Sequence, residues 1–162
     1  MRVEKLDQLF DILRSKPKRR LVAAFANDAH TIEAVYAAVE KGIVDATLTG
    51  DEAFIKKICA EHNMDASKLE ILHEPAELKA ASLAVQLIND KKADLLMKGS
   101  LSTDKYMRAI LNKVSGITNE GAVLSHVSIM EFPSYHKLLT IADVAIIPAP
   151  ELKQKIKMID YL

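Results

Sequence analysis

The reading of this chain turns on Asp94-Leu95-Leu96-Met97-Lys98-Gly99-Ser100-Leu101-Ser102-Thr103-Asp104-Lys105-Tyr106-Met107-Arg108. Asp94 to Met97 has an apolar middle and runs into Lys98-Gly99. A short apolar run stopped by glycine predicts a buried strand. Ser100, Ser102 and Thr103 follow, then an amphipathic run from Asp104 to Val114, which predicts a hydroxyl-capped helix. Strand, glycine loop and capped helix together make a cradle for an anion, because first-turn N–H groups and the helix dipole both favour negative charge. Lys98 and Arg108 supply cations suited to phosphate. The same residues also read as a solvated strand end and an ordinary cap, since neither a full P-loop nor a dinucleotide fingerprint is present.

Outward from that stretch, strand and helix alternate. Leu6, Leu9, Phe10 and Leu13 fall at i, i+3, i+4 and i+7 and predict an amphipathic helix that Pro17 ends. Leu21 to Ala26 predicts a buried strand stopped by Asn27-Asp28. Ile32, Val35, Tyr36 and Val39 repeat with helical period up to Gly42. Asp45 to Thr49 predicts a strand ending at Gly50, and Asp51 caps a helix with Phe54, Ile55 and Ile58 inward. Leu69 to His73 predicts a third strand; Pro75 suits the start of a helix whose buried stripe is Leu78, Ala81, Val85 and Ile88. This alternation, with short loops, predicts a three-layer α/β/α fold with a mainly parallel sheet, read as a single α/β domain over 1–162. Ligands of such sheets sit beyond the strand C-terminal ends. Lys98-Gly99-Ser100 is therefore expected to line the deepest polar cleft, with Asn27 and Gly50 nearby.

The last third differs. Val123 to Phe132 reads as a long extended run closed by Pro133. The segments 138–141 and 144–147, around Asp143, predict a hairpin or an antiparallel excursion. A final helix is expected over 151–162, carrying Leu152, Ile156 and Ile159. Apolar residues are dense from Val123 to Ile147, so the last third is expected to associate with a second copy or a missing domain.

Composition sets bounds. The 162 residues are enough for one domain with a sizeable core. Lysine plus arginine balance aspartate plus glutamate at 22 each, so no net field draws the chain to nucleic acid or an anionic membrane. Cys59 is the only cysteine, which forbids an intrachain disulfide and suits a reducing compartment. No apolar run reaches membrane-spanning length, and Met1-Arg2-Val3-Glu4-Lys5 does not open like a secretory leader, so a cytoplasmic protein is expected. Cys59 beside Ile58 reads as a buried, inert thiol. The histidines at 30, 62, 73, 126 and 136 lack metal-ligand spacing, so no metal site is expected. Ser125-His126 sits in an apolar run, where histidine is usually a half-buried structural residue. Asp143 at a strand end suits either a ligand hydroxyl or a turn.

Several ordered blocks resemble the phosphate acetyl/butyryl transferases, with the phosphotransbutyrylase branch the most similar. The blocks are Leu96-Met97-Lys98-Gly99, Ser102-Thr103, Arg108-Ala109-Ile110-Leu111-Asn112-Lys113, Leu124-Ser125-His126-Val127, Ala142-Asp143-Val144-Ala145 and Pro150-Glu151-Leu152-Lys153. The resemblance implies an enzyme exchanging an acyl group between coenzyme A and phosphate (butyryl-CoA plus phosphate to butyryl phosphate plus CoA), with no bound cofactor and no covalent acyl-enzyme. It implies a domain like the first domain of the isocitrate and isopropylmalate dehydrogenases, and a homodimer or larger assembly. It implies substrate contacts from Lys98, Gly99, Ser100, Ser102, Thr103, Arg108, Ser125, His126 and Asp143. Family members continue into a second domain that supplies the general base, so the 162 residues resemble a first, substrate-binding half that is inactive or nearly so alone. The chain departs from the butyryl branch at Val114-Ser115-Gly116-Ile117-Thr118, where a charged pair is common, and at Ala142, where threonine is usual. A non-catalytic α/β module that binds a phosphorylated metabolite is the competing reading.

Overall fold

The computed structural model describes residues 3–119 and 121–162. Met1 and Arg2, which belong to the stretch read for a leader, lie outside them. The chain, read from sequence as one domain, divides into two compact units: Leu13–Thr118, and Met1–Ile12 with Asn119–Leu162. Helix α1 (Asp7–Arg14) spans the boundary and buries none of its residues.

The larger unit contains the parallel sheet. Its elements are β1 (Arg19–Ala24), α2 (Ala29–Glu40), β2 (Val44–Gly50), α3 (Glu52–Glu61), a 3₁₀ turn (Ala66–Lys68), β3 (Glu70–His73), α4 (Glu77–Asn89), β4 (Leu95–Lys98) and α5 (Thr103–Ile110). The four strands lie in the order β3-β2-β1-β4, and every pair is parallel. Chain progression runs outward from β1 to β3, then returns to place β4 on the other side of β1. Successive residues of β1 explain why it sits centrally. Leu21 and Ala23 pack with Ile32, Val35, Leu48, Ile55 and Cys59 on one face. Val22 and Ala24 pack with Ala81, Ala84, Leu101, Tyr106 and Ala109 on the other. A strand buried on both faces needs this continuous apolar run. The expected three-layer α/β/α architecture follows, with α2 and α3 on one face and α4 and α5 on the other. Leu48 is fully buried in the first cluster, and trimming it to alanine would cost about 2–5 kcal/mol.

Aspartates cap two of these helices, Asp51 as expected and Asp28, read from sequence only as the strand stop, as well. Asp28 accepts from the Thr31 N–H and hydroxyl at 2.8 and 2.6 Å, and Asp51 from the Ala53 and Phe54 N–H groups at 2.9 and 3.2 Å. Two expectations for the helices need correction. The buried stripe of α4 is Ala80, Ala81, Ala84 and Val85, whereas Leu78 is exposed. Small side chains let the helix lie close to the sheet, which rotates Leu78 outward. Helix α5 stops at Ile110 rather than Val114, because Asn112 Oδ1 accepts from the N–H groups of Val114 and Ser115 at 2.9 and 3.0 Å. An asparagine side chain offering the backbone that alternative favours a turn over another helical turn.

In the smaller unit, β5 (Ser128–Met130) pairs antiparallel with β6 (Leu139–Ile141), Ser128 opposite Ile141 and Met130 opposite Leu139. The antiparallel excursion is there, but its strands differ from those expected. Segment 144–147 does not pair with 138–141, because Asp143 Oδ1 accepts from the N–H groups of Ala145 and Ile146 at 2.8 and 2.9 Å and folds that segment into a turn. Of the run from Val123 to Phe132, only three residues are strand. Helix α6 (Leu152–Tyr161) buries Met158, while Leu152, Ile156 and Ile159 are exposed. Among the described residues, no helix is long and apolar enough to cross a membrane.

Candidate functional site

Parallel pairing brings the loops after β1, β2 and β4 to one edge of the sheet. Gly99 N–H donates to Ala24 O and Ser100 N–H to Phe25 O, both at 2.9 Å. On the other side of β1, Ala26 N–H donates to Thr49 O at 2.8 Å and Asp51 N–H to Asn27 Oδ1 at 2.9 Å. Gly99, Asn27 and Gly50 therefore share the edge, as the alternation required. Where the strand order reverses, between β1 and β4, the two connections leave on opposite faces of the sheet.

The backbone here is closely fitted. A Cβ at Gly99 would stand 2.3 Å from Phe25 O and 2.7 Å from Ala24 O, so only glycine allows β4 to turn this tightly against β1. Phe25 takes a left-handed conformation (φ 56°), and its carbonyl also accepts from the Ser100 hydroxyl at 3.1 Å. Beneath it Thr49 is completely buried; its hydroxyl accepts from Phe25 N–H at 3.1 Å and donates to Ala80 O at 3.0 Å. A residue held at positive φ by its surroundings is a feature that functional loops share.

Helix α5 begins at this loop. Ser102 is its N-cap and accepts from Lys105 N–H at 3.4 Å. Helix geometry leaves the N–H groups of Thr103 and Asp104 without intrahelical acceptors. The ammonium of Lys98 folds back on its own loop, 2.9 Å from Leu101 O and 3.3 Å from Gly99 O. It braces the loop while retaining a donor that can face an anion. Ser100, Ser102 and Thr103 are exposed beside it. Arg108 lies in the last turn of α5, exposed, with its Nε 3.0 Å from Asp104 Oδ2. These six residues belong to the larger unit.

The other three sequence candidates lie in the smaller unit. Asp143 joins them: its Oδ2 accepts from the Ser125 hydroxyl at 3.2 Å and from His126 N–H at 3.4 Å. Partial burial would raise the Asp143 carboxyl, but the N–H groups of Ala145 and Ile146, the Ser125 hydroxyl and the His126 N–H outweigh it and hold it down at about 2. Asp143 is thus an ionised organiser of Ser125, His126 and the 144–147 turn. The His126 ring lies 3.5 Å from the Ser128 hydroxyl. Cys59 is buried in the first core cluster, where desolvation pushes its thiol up and leaves it a poor nucleophile.

Two residues that the sequence reading did not select join the edge. Glu77, in the first turn of α4, accepts from Ser102 N–H at 3.3 Å and is ion-paired with Lys105. That hydrogen bond from Lys105 holds the Glu77 carboxyl below its usual value. The pair ties the N-terminal ends of α4 and α5 together. An acidic residue in the first turn after β3 was the available signal, since such residues favour helix starts at this edge. A hollow of about 370 Å³ at this edge is lined by Glu52, Ala53, Lys56 and His73. Gly99 is packed on β1 and Lys98 is folded onto the loop.

Comparison with known proteins agrees with this fold. The family model described as "Phosphate acetyl/butaryl transferase" matches residues 54–160. The chain is 37% identical over 158 residues to a phosphate butyryltransferase of Clostridium acetobutylicum, covering 98% of this chain and 52% of that protein. It is 35% identical over 156 residues to a phosphate acetyltransferase of Thermotoga maritima, covering 96% and 52%. The fold matches a phosphotransacetylase from Streptococcus pyogenes with TM-score 0.76 at 16% identity, over 96% of this chain and 56% of that one. It also matches a branched-chain phosphotransacylase from Enterococcus faecalis with TM-score 0.70 at 20% identity, over 88% and 49%. A mainly parallel α/β sheet flanked by helices, with a glycine loop and a helix start at its order reversal, is the class of fold these proteins share. Within that class, the chain belongs to the phosphate acetyl/butyryl transferase family. It spans about half the length of the curated relatives it matches.

Proposed function

We propose that this chain is the substrate-binding half of a cytoplasmic phosphate acyltransferase, with butyryl-CoA and inorganic phosphate as substrates. Butyryl phosphate and CoA are the products. The observation that carries the reading is the join between Gly99 and Phe25. It fixes the start of α5 at the sheet's order reversal, just after the loop on which Lys98 is folded. Preorganised donors suit a phosphoryl group, whose oxygens need fixed dipoles and cations rather than covalent chemistry. Ser100, Ser102 and Thr103 add hydroxyl donors, and Arg108 swings from Asp104 to a CoA phosphate. Ser125 and His126, braced by Asp143, supply the second set of substrate contacts. No covalent acyl-enzyme forms: a phosphate oxygen attacks the thioester carbonyl and the CoA thiolate leaves. The general base comes from a second domain, so the 162 residues alone bind without turnover. The full enzyme is a homodimer or larger, and the exposed apolar residues of α6 support association through the last third.

Amide NMR titration of the 162-residue chain with phosphate and with CoA tests the reading. A half-site should bind with Kd of about 1 mM, about −4 kcal/mol, with shifts clustered from Gly99 to Thr103. Lys98→Ala and Arg108→Ala should each cost about 1.5–3 kcal/mol, enough to abolish detectable binding. No response in this loop at about 50 mM ligand, well above the expected Kd, would reduce it to an ordinary helix cap.

A further inference from the structure

We propose that a hollow at the opposite, N-terminal edge of the parallel sheet is a second ligand site, built for a small aliphatic chain that ends in an anion. The hollow has a volume of about 460 Å³, within the range of ligand pockets. Leu13, Pro17, Ile43, Val44 and Leu95 form its apolar wall. Two of these, Leu13 on α1 and Leu95 on β4, remain exposed. Lys16, Lys18 and Arg19 stand around it, with Asp94 the one acidic lining residue. Five residue steps along β1, from Arg19 to Ala24, separate it from the Gly99 edge, roughly 17 Å at the strand rise, so it is distinct from the Gly99 loop.

The charge balance selects an anion. Asp94 is matched by Arg20, whose Nε and a terminal nitrogen reach its two oxygens at 3.0 and 2.8 Å in a fork. That hydrogen bonding keeps the Asp94 carboxyl ionised far below its usual range, so its charge is constant and already satisfied. Lys18 pairs with Asp45 at 3.3 Å. Among the described residues neither Lys16 nor Arg19 forms a salt bridge, although the Arg19 charge also acts on the Asp94 carboxylate. Four cations therefore meet two carboxylates here, and two cations remain to receive a head group. An apolar wall with unpaired cations at its mouth fits an aliphatic carboxylate or phosphate monoester: the chain covers Leu13, Ile43 and Leu95 while the head group meets Lys16 and Arg19. Neither part alone suffices, because a bare anion gains little at an exposed cation and a bare chain leaves the cations unused.

The test is an NMR titration of the 162-residue chain with hexanoate and hexyl phosphate, using hexanol and inorganic phosphate as controls. Saturable shifts at Leu13, Ile43, Val44 and Leu95 are expected with the two aliphatic anions, and the tighter of them identifies the head group. Hexanol should bind at least about tenfold more weakly, and inorganic phosphate should leave these residues unmoved. The double variant Lys16→Ala, Arg19→Gln should weaken hexanoate by about tenfold or more while the Val22 and Leu48 resonances stay in place. Equal binding of hexanol and hexanoate, or shifts confined to Gly99–Thr103, would overturn the proposal. So would no saturable shift with either aliphatic anion. Binding of inorganic phosphate at Gly99 is scored separately, so the two sites succeed or fail independently.

Discussion

Substituting alanine at Gly99 tests the join that organises the candidate site. The new Cβ would lie 2.3 Å from Phe25 O and 2.7 Å from Ala24 O, both backbone atoms that cannot rotate away. Reaching an ordinary separation of about 3.5 Å requires the loop to retreat by roughly 1 Å. The bonds from Gly99 N–H to Ala24 O and from Ser100 N–H to Phe25 O, now 2.9 Å, would then pass beyond hydrogen-bonding range. Two lost bonds cost about 1–3 kcal/mol, and residual overpacking about 1–3 more, so Gly99→Ala should destabilise by about 2–6 kcal/mol. That is a large share of the roughly 5–15 kcal/mol typical of a domain. Gly42→Ala serves as the control: Gly42 has φ +70° and a Cβ added there would meet nothing within 4 Å, so backbone strain alone of about 1–2 kcal/mol should appear. Urea unfolding followed by circular dichroism compares the two variants. If Gly99→Ala cost no more than Gly42→Ala, the close approach of β4 to β1 would not be what holds this loop.

Three further outcomes are expected. Thr49→Val should cost about 1–3 kcal/mol in the same assay, because Phe25 N–H and Ala80 O lose their buried partner; a neutral result would mean both groups find other partners. Asp143→Asn should remove a pH-dependent contribution from the smaller unit. The Asp143 carboxyl is depressed from 3.8 to about 2 on folding, so its stabilisation is complete above about 4 and is lost as pH falls through about 2. The variant's stability, followed by near-ultraviolet circular dichroism, should therefore fall less than the parent's across that window, and parallel curves would contradict the assignment. Leu152→Ser with Ile159→Ser should lower any self-association seen by light scattering without lowering thermal stability, since both side chains are exposed on α6; a marked loss of stability would show that they pack within the chain.

Local sequence fixed the kinds of element and where most of them stop. Apolar runs broken at Asn27-Asp28, Gly50 and Gly99 marked three strand ends, and Asp28, Asp51 and Ser102 cap the helices that follow, because capping needs only a short polar side chain next to free N–H groups. Alternation alone then placed these loops on one edge, and ordered residue blocks named the family. The tertiary structure decided the rest, since periodicity tells a strand which faces are buried but not which neighbour lies beside it. Only the fold sets β4 against β1, makes a side chain at Gly99 impossible, and brings Glu77 to Ser102 and Lys105 from 25 and 28 residues away. Only the fold pairs β6 with β5, because Asp143 spends its carboxylate on the turn that would otherwise have been the partner strand. The final division is between contacts a residue makes with its own turn and contacts that exist only after distant segments have met.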